Sequence, residues 1–125
     1  MRTPIELARA WRVALVARDA RAYGDLFAVD AEFIDVEHRT PDGTAARAVY
    51  GRDEIEQVCV DWLASTPLFR YDVLDVVGDD DRAAKRWRYR VGAADIEGVT
   101  WIDCADGVIV RALVLFDFAP LAAGT

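Results

Sequence analysis

The spacing of the apolar residues changes near Pro67, and this change limits the folds open to the sequence. Before Pro67, apolar side chains recur at helical spacing, most clearly at Ile55, Val58, Cys59, Trp62 and Leu63. After it, apolar and polar residues alternate with the period of two that β-strands require. Helices followed by a run of strands indicate the α+β class, in which helices pack on one face of a mainly antiparallel sheet.

Three helices are predicted before Pro67. The first begins with Thr3-Pro4-Ile5-Glu6, a capping box in which the Thr and Glu side chains satisfy unpaired backbone N–H groups, and it is expected to run to about Arg18. Asp19 is a suitable cap for a short second helix. The third follows Gly51 and ends at Ser65-Thr66-Pro67. Its first turn carries acidic residues, which the helix dipole favours there: Asp53, Glu54 and Glu56.

Six strands are predicted from β-branched and aromatic content and from the turns between them. Their ranges are 31–38, 45–50, 69–77, about 83–91, 96–104 and 108–118. Pro41-Asp42-Gly43 and Asp106-Gly107 are typical of tight turns. The strand at 83–91 alternates sharply, since Trp87, Tyr89 and Val91 share one face while the other face carries three arginines: Arg86, Arg88 and Arg90.

Length and charge exclude several classes of protein. The 125 residues fit a single domain over 1–125, with a loose tail at 121–125. The formal charge of −7 disfavours a nucleic-acid partner. No apolar run approaches the roughly 20 residues of a membrane span, and the N-terminus lacks a secretory layout, so a cytoplasmic location without membrane contact is expected. Cys59 and Cys104 stand apart and no Gly-rich phosphate loop is present, so neither a metal nor a cofactor is predicted.

Three stretches of the sequence resemble a known family. They are Tyr-Gly-Asp-Leu-Phe-Ala-Val-Asp-Ala-Glu-Phe-Ile-Asp at 23–35, Tyr-Gly-Arg-Asp-Glu-Ile at 50–55, and Asp106-Gly107-Val108-Ile109 leading to Phe116-Asp117. With the order of helices and strands, they are similar to the SnoaL-like and ketosteroid-isomerase-like branch of the nuclear transport factor 2-like superfamily over nearly the whole chain. That superfamily includes isomerases, cyclases, dehydratases, epoxide hydrolases and non-catalytic binders, so the resemblance specifies the fold more narrowly than the reaction.

The resemblance implies a cystatin-like roll with a cone-shaped pocket. Three N-terminal helices would close a strongly curved, mixed but mainly antiparallel sheet. The residues that this fold places in the pocket also lie on the inward periodicity of their elements: Trp11, Leu15, Phe33, Cys59, Leu63, Trp87, Tyr89, Val99, Trp101, Val114 and Phe116. Several aromatic walls predict a small, flat, apolar or aromatic ligand. The alternative is that the same residues fill a closed core.

Asp35 is the first candidate catalytic residue, because it matches the position of the general base in ketosteroid isomerases. A carboxyl group walled by aromatic rings loses hydration, which raises its pKa toward the range useful for proton transfer. Tyr89 is the second candidate, as a polar partner inside the pocket. The alternative for Asp35 is a structural carboxylate that caps a turn or pairs with an arginine at the rim.

Other positions depart from the catalytic patterns of the family. Where ketosteroid isomerases carry the donors that stabilise an enolate, this chain has Trp11, Phe27, Cys59 and Val99. An isomerisation that depends on those donors is therefore not expected. An epoxide-hydrolase set would lack its last Asp, whose position is Val114. Asp35 and His38 point to opposite faces of a regular strand, so a dyad would need a bulge, and His38 is expected at the rim. Asp103 either reaches the pocket mouth or serves the neighbouring turn.

Two functions of different classes follow. The first is a cofactor-independent enzyme that transfers a proton on an apolar, aromatic or polyketide-like substrate, as a cyclase, isomerase or lyase. The second is a non-catalytic ligand-binding or dimerisation module of the same fold. An open pocket facing an unpaired Asp35 would favour the enzyme. A collapsed pocket, or an Asp35 paired with Arg47 or Arg52, would favour the module.

The sheet face opposite the pocket is predicted to bind a second copy of the chain. Beside the arginines of the strand at 83–91, this outer face is expected to carry Arg111 and three apolar residues: Ile109, Leu113 and Leu115. An exposed apolar strip is typical of an interface. A homodimer whose arginines pair with acids of the other copy is therefore expected.

Overall fold

Helices and strands form where the apolar spacing predicts them. The computed structural model describes the backbone of residues 1–40 and 43–117, and the side chains of residues 1–36 and 46–116. The helices are α1 (Pro4–Val16), α2 (Ala20–Gly24) and α3 (Arg52–Ser65). The strands are β1 (Phe27–Thr40), β2 (Gly43–Tyr50), β3 (Arg70–Gly78), β4 (Arg82–Val91), β5 (Ala94–Ala105) and β6 (Val108–Asp117). The turn predicted at Pro41-Asp42 and the tail at 121–125 lie outside the described residues.

The strands form one curved sheet in the order β2-β1-β6-β5-β4-β3. The β1–β6 pair is parallel and every other pair is antiparallel, so the sheet is mixed and mainly antiparallel as predicted. Helix α1 packs on β3, β4, β5 and β6, and α3 packs on β1 and β2. The α+β class is confirmed, and the helices cover one face of the sheet, which we call the inner face.

Local capping fixes where the helices begin. The Thr3 hydroxyl accepts from the Glu6 N–H at 3.2 Å and the Glu6 carboxylate accepts from the Thr3 N–H at 2.9 Å, which is the predicted capping box. The Asp19 carboxylate accepts from the Ala22 N–H at the start of α2. These contacts orient α1 so that its apolar stripe, including Leu7 and Trp11, is buried on the sheet.

The inward phase of β5 is opposite to the one predicted for Val99 and Trp101. Both side chains are on the outer face, with 40% and 39% of their surface exposed, while Ile96, Thr100 and Ile102 point inward. Gly98 accounts for the phase, because a Cβ atom there would lie 2.2 Å from Cζ2 of Trp87. The Trp87 indole thus lies against the β5 backbone at the one residue that has no side chain.

The side-chain orientation at the start of β6 also differs from the prediction. Ile109 is fully buried, whereas Val110 and Arg111 are both exposed, so the prediction of an outward Ile109 is wrong. The cause is an irregularity in the β5–β6 ladder, where Cys104 pairs with Ile109 although Asp103 pairs with Arg111. One extra residue in a strand reverses the faces of the side chains beyond it. The predicted outward placement of Leu115 stands, with 42% of its surface exposed.

Candidate active site

A cavity of about 380 Å³ lies between the helices and the inner face of the sheet. Its walls come from all three helices and all six strands. The lining residues are Trp11, Leu15, Tyr23, Phe33, Asp35, Arg47, Val58, Cys59, Asp61, Trp62, Ser65, Tyr71, Trp87, Tyr89, Ile96, Thr100, Val114 and Phe116. The volume lies near the lower end of the range for small-molecule sites, roughly 300–1,000 Å³.

Most of the side chains predicted to face the pocket do line it. These are Trp11, Leu15, Phe33, Asp35, Cys59, Trp87, Tyr89, Val114 and Phe116. Leu63 is buried in the core of the domain but is not among the lining residues. Val99 and Trp101 are on the outer face, so their assignment to the pocket was wrong. Thr100, between them, occupies the wall instead.

Aromatic rings hold one another in place on two sides of the cavity. On the first side Trp11 lies edge-to-face with Tyr23 and stacks on Phe33, with centroid distances of 5.0 and 6.2 Å. Facing it, Tyr71 stacks on Trp87 at 5.7 Å, and the Trp87 Nε1–H donates to Oγ1 of Thr100 at 2.9 Å. These mutual contacts fix the ring orientations, so the walls are built before any ligand enters.

Asp35 projects from β1 into the cavity wall and is 7% exposed. Its Oδ2 accepts from Nη2 of Arg47 at 3.2 Å, across the β1–β2 ladder in which the two residues are direct partners. The Arg47 side chain is 56% exposed, so the pair spans the cavity wall and the solvent. The open aromatic cavity is the feature expected of an enzyme. The pairing of Asp35 with Arg47 is the feature expected of a binding module, and both features are present.

Tyr23 and Tyr71 are cavity residues that the sequence analysis did not assign. Burial, together with nearby Cys59, Tyr71 and Asp35, holds the pKa of Tyr23 well above its ordinary value. Burial also raises the pKa of Tyr71, although Arg12 opposes part of the rise. Both phenols consequently keep their protons at neutral pH and can donate hydrogen bonds. Tyr23 was recognisable from its place on the apolar side of α2, whereas the irregular alternation of β3 gave little indication of Tyr71.

Tyr89 is not a partner of Asp35. It projects from β4, three strands away in the sheet, and its ring packs against Trp62 and Phe69 at 5.3 and 5.7 Å. The Thr66 hydroxyl is close to the Tyr89 hydroxyl but donates to the carbonyl of Trp62 at 2.7 Å. Within the described part of the chain, the Tyr89 hydroxyl therefore has no hydrogen bond of ordinary geometry. Burial raises its pKa.

Of the remaining candidates, Asp103 lies away from the cavity. Asp103 is on the outer face, where its Oδ1 accepts from Nε1 of Trp101 at 3.1 Å, so it does not reach the pocket. The His38 side chain is outside the described residues. Among the described residues there is no group of three or more His, Cys, Asp or Glu placed to hold a metal ion. The described residues also contain no helix long and apolar enough to span a bilayer.

The inner face carries one row of residues that crosses the sheet through the cavity. Successive ladder partners in this row are Arg47, Asp35, Val114, Thr100, Lys85 and Val76. The first four line the cavity, and Lys85 is the next residue along. The sequence analysis overlooked Lys85, although it shares the inward parity of Trp87 and Tyr89, because lysine is rarely found in a core.

A family model for the SnoaL-like domain matches residues 8–112, from within α1 to within β6. The chain belongs to the SnoaL-like family. This match confirms the resemblance inferred from the three sequence stretches. The family includes small-molecule isomerases and cyclases. No curated protein matches the chain.

Solved structures share the SnoaL-like fold at low sequence identity. A protein with a ketosteroid isomerase-like fold from Catenulispora acidiphila, in complex with trimethylamine, aligns with a TM-score of 0.78 and 19% identity over 98% of this chain and 92% of that one. A nuclear transport factor 2-like protein of unknown function from Mesorhizobium loti aligns at 0.71 and 26% identity, over 89% and 88%. A candidate polyketide cyclase from Sinorhizobium meliloti aligns at 0.67 and 19%, over 87% and 93%.

Proposed function

We propose that this SnoaL-like domain is an enzyme that transfers a proton on a small apolar or aromatic carbonyl compound, as an isomerase, cyclase or lyase, without a cofactor. The observation that carries the proposal is the buried Asp35 carboxylate in the wall of an open aromatic cavity. Titratable groups that face such cavities are frequently functional. Family membership adds support, because the family includes enzymes that act on small molecules.

In this proposal Asp35 takes a proton from the carbon next to the substrate carbonyl. Arg47 favours the ionised form of Asp35, which is the form that can accept a proton. Tyr23 and Tyr71, among the hydroxyl groups that line the cavity, would donate to the oxygen on which negative charge develops. A conjugated substrate spreads that charge over its own rings, which reduces what the protein must supply. Protonated Asp35 then returns the proton at another carbon.

The size of the cavity argues for a substrate of one or two rings. Its volume of about 380 Å³ is close to the lower limit for ligand pockets. Trp11 replaces a smaller side chain at the position where ketosteroid isomerases carry tyrosine, and its indole takes up space on the α1 side. Flat ligands match a cavity lined by the Trp11–Phe33 and Tyr71–Trp87 ring pairs.

The second candidate is a non-catalytic binder of the same small molecules. The Asp35–Arg47 ion pair favours it, because a carboxylate already satisfied by a cross-strand arginine contributes to the structure without any substrate. The two candidates share the cavity and differ only in whether Asp35 moves a proton. A test must therefore measure binding and proton transfer separately.

Hydrogen exchange on 2-tetralone provides that test, because its carbon-bound protons are acidic and it has two fused rings. We expect the wild-type protein to accelerate deuterium incorporation from D₂O, measured by proton NMR. Asp35→Asn should lose about a hundredfold or more of that acceleration, the usual contribution of a general base. Asp103→Asn, an equal change of charge outside the cavity, serves as the control and should behave as wild type.

Quenching of tryptophan fluorescence by 2-tetralone measures binding independently, since three tryptophans line the cavity. If the ketone binds but wild type and Asp35→Asn exchange its protons equally slowly, the enzyme proposal is wrong and the binder proposal replaces it.

We further propose that the chain forms a homodimer through its outer sheet face. Val99, Trp101 and Leu115 expose apolar surface there. Arg88 and Arg90 pair with Asp95 and Asp72 of their own chain, which alters the expected pairing across the interface. Charged groups on this face that could pair between copies include Arg86, which has no acidic partner among the described side chains, and Asp103. The free thiols of Cys59 and Cys104 support a cytoplasmic location for the protein.

A further inference from the structure

Lys85 is the only lysine among the 15 lysine and arginine residues of the chain. Arginines carry the other positive charges, and those that the structure describes are at least partly exposed or paired with carboxylates or carbonyls. Lys85 is instead 1% exposed, among the most deeply buried side chains of the domain. The single amine side chain of the protein is thus in the position where a lysine is least expected.

The surroundings of the Lys85 amine are apolar and aromatic. Its Nζ lies 4.3 Å from the centroid of the Trp11 ring and 5.3 Å from that of Tyr71. Among the residues that the structure describes, no acceptor lies within hydrogen-bond distance of Nζ. Trp11 faces it from α1, Tyr71 from β3 and Thr100 from β5, and none of these carries a charge at neutral pH.

An amine in such a site is uncharged more readily than one in water. Burial holds the pKa of Lys85 well below its ordinary value, and no other group contributes to that shift. An arginine could not serve here, because a guanidinium stays protonated in proteins and would be a buried, unpaired charge. A neutral amine has a free lone pair, which makes it a nucleophile.

The Lys85 amine lies against residues of the cavity wall, although Lys85 is not itself a lining residue. Trp11 and Tyr71, the two rings that it contacts, both line the cavity, and so does Thr100, its direct partner in the β4–β5 ladder. Asp35 lies further along the same row, three strands away, which is roughly 14 Å along the sheet. Asp35 and Lys85 are thus on the same row of the inner face, separated by Val114 and Thr100.

We propose that Lys85 forms a reversible imine with a carbonyl ligand in this cavity. The Nζ lone pair attacks the carbonyl carbon to give a carbinolamine, the nitrogen loses its proton, and the hydroxyl group leaves with a proton as water. The product is a C=N bond, and hydrolysis reverses the step without any oxidant or reductant. The proposal requires the Lys85 side chain to change its rotamer, so that the amine enters the cavity beside Trp11 and Tyr71.

The imine would deepen the proposed proton transfer but does not depend on it. Once protonated, a C=N bond withdraws electrons more strongly than C=O, so the neighbouring carbon loses a proton more easily. This advantage rests on the proposed function of Asp35. The formation of the imine itself requires only the cavity and Lys85.

Reductive trapping with benzaldehyde and sodium cyanoborohydride at pH 7.5 tests the proposal. The intact chain has two amines, the N-terminus and Lys85, so each benzyl group can be located by peptide mass spectrometry. We expect the folded protein to be benzylated at Lys85. Lys85→Met should retain the N-terminal adduct alone, which serves as an internal control for the chemistry.

Labelling of the unfolded wild-type chain removes any dependence on the variant's folding. In guanidinium chloride Lys85 becomes an ordinary lysine, of which about one thousandth is neutral at pH 7.5. Relative to the N-terminal adduct, Lys85 should therefore label at least about tenfold less in the unfolded chain than in the folded one. An unlabelled Lys85 in the folded protein, or faster labelling after unfolding, overturns the proposal.

Asp35→Asn separates this proposal from the proton-transfer one. Undiminished trapping at Lys85 in that variant supports the imine irrespective of the exchange of 2-tetralone protons. Loss of trapping in Asp35→Asn, with the fold retained by circular dichroism, would show that the amine does not act independently and would overturn the inference as stated.

Discussion

Two buried titratable side chains, Asp35 and Lys85, lie three strands apart in one ladder row of the inner face. Asp35 forms an ion pair with the half-exposed Arg47, whereas the Lys85 amine lies over the rings of Trp11 and Tyr71. The cost of burying these two groups is therefore offset in different ways. The Asp35 carboxylate has an ion-pair partner, whereas burial without a hydrogen-bond partner lowers the pKa of the Lys85 amine.

Replacing Lys85 by Met should stabilise the protein at pH 7. Methionine has a similar length and fills the same space between Trp11 and Tyr71, without a polar atom that lacks a partner. Removing such an atom is worth about 1–3 kcal/mol, so the free energy of unfolding in urea should rise by that amount. An unchanged or lower stability of Lys85→Met would mean that the amine is satisfied in the folded state.

The same pair of proteins has a defined dependence on pH. The lowered pKa of Lys85 means that the unfolded chain binds more protons than the folded one below the ordinary lysine value. Wild-type stability relative to Lys85→Met should therefore increase as the pH rises from 7 to 8, by at most about 1.4 kcal/mol per pH unit. Taking the difference between the two proteins cancels the opposite contributions of Cys59 and Cys104, whose pKa values burial raises to about 12 and about 11.

At the scale of elements, the sequence predicted the secondary structure of each segment well. It predicted less well which face of the sheet the side chains occupy. The capping box, the acidic first turn of α3 and the Asp106-Gly107 turn placed the element boundaries within a few residues. The phase of β5 was missed because two large apolar residues, Val99 and Trp101, were taken as inward. The actual phase depends on the close approach of Trp87 to Gly98, a contact between strands that periodicity within one strand cannot reveal.

The candidate site was predictable to the same extent. Asp35 and the aromatic residues of α1, β1 and β4 follow from inward periodicity together with the family resemblance. Arg47 and Arg52 were both named as possible partners of Asp35, and the choice of Arg47 depends on the β1–β2 register. The row that joins Asp35 to Lys85 depends on three ladders at once. Registers across a sheet are set by packing among distant segments, so they are not visible in any one stretch of sequence.

Gly98→Ala tests the contact that sets the β5 phase. The new methyl group would lie 2.2 Å from Cζ2 of Trp87, so the indole must move and its hydrogen bond to Thr100 should weaken. Overpacking of this kind costs about 1–3 kcal/mol, which urea unfolding measures. The matched control is Val99→Ala, the neighbouring outward position, which should cost less. Equal losses in the two variants would contradict the role of Gly98.

At the scale of the whole molecule, the two faces of the curved sheet have different surroundings. The inner face, closed by the helices, leaves room for a ligand of one or two rings between rigid aromatic walls. The outer face continues with apolar side chains on neighbouring strands: Ile34 and Val36 on β1, Leu113 and Leu115 on β6, and Val99 and Trp101 on β5. Side chains on adjacent strands form a continuous surface, and a monomer rarely leaves a large one uncovered.

Trp101→Glu should convert the proposed homodimer into a monomer. Trp101 is central to the outer apolar surface, where it is the ladder partner of Leu113 and lies under the Arg82 guanidinium at 5.8 Å. A glutamate buried there in both copies would bring like charges into an apolar contact, which costs several kcal/mol. Sedimentation at micromolar concentration should show a dimer for wild type and a monomer for the variant, each with the same circular dichroism. Val13→Glu, at an exposed valine on α1, is the matched control and should remain dimeric. A monomeric wild type would leave the outer face without the partner proposed for it, whereas dimers of both variants would move the interface elsewhere on the surface.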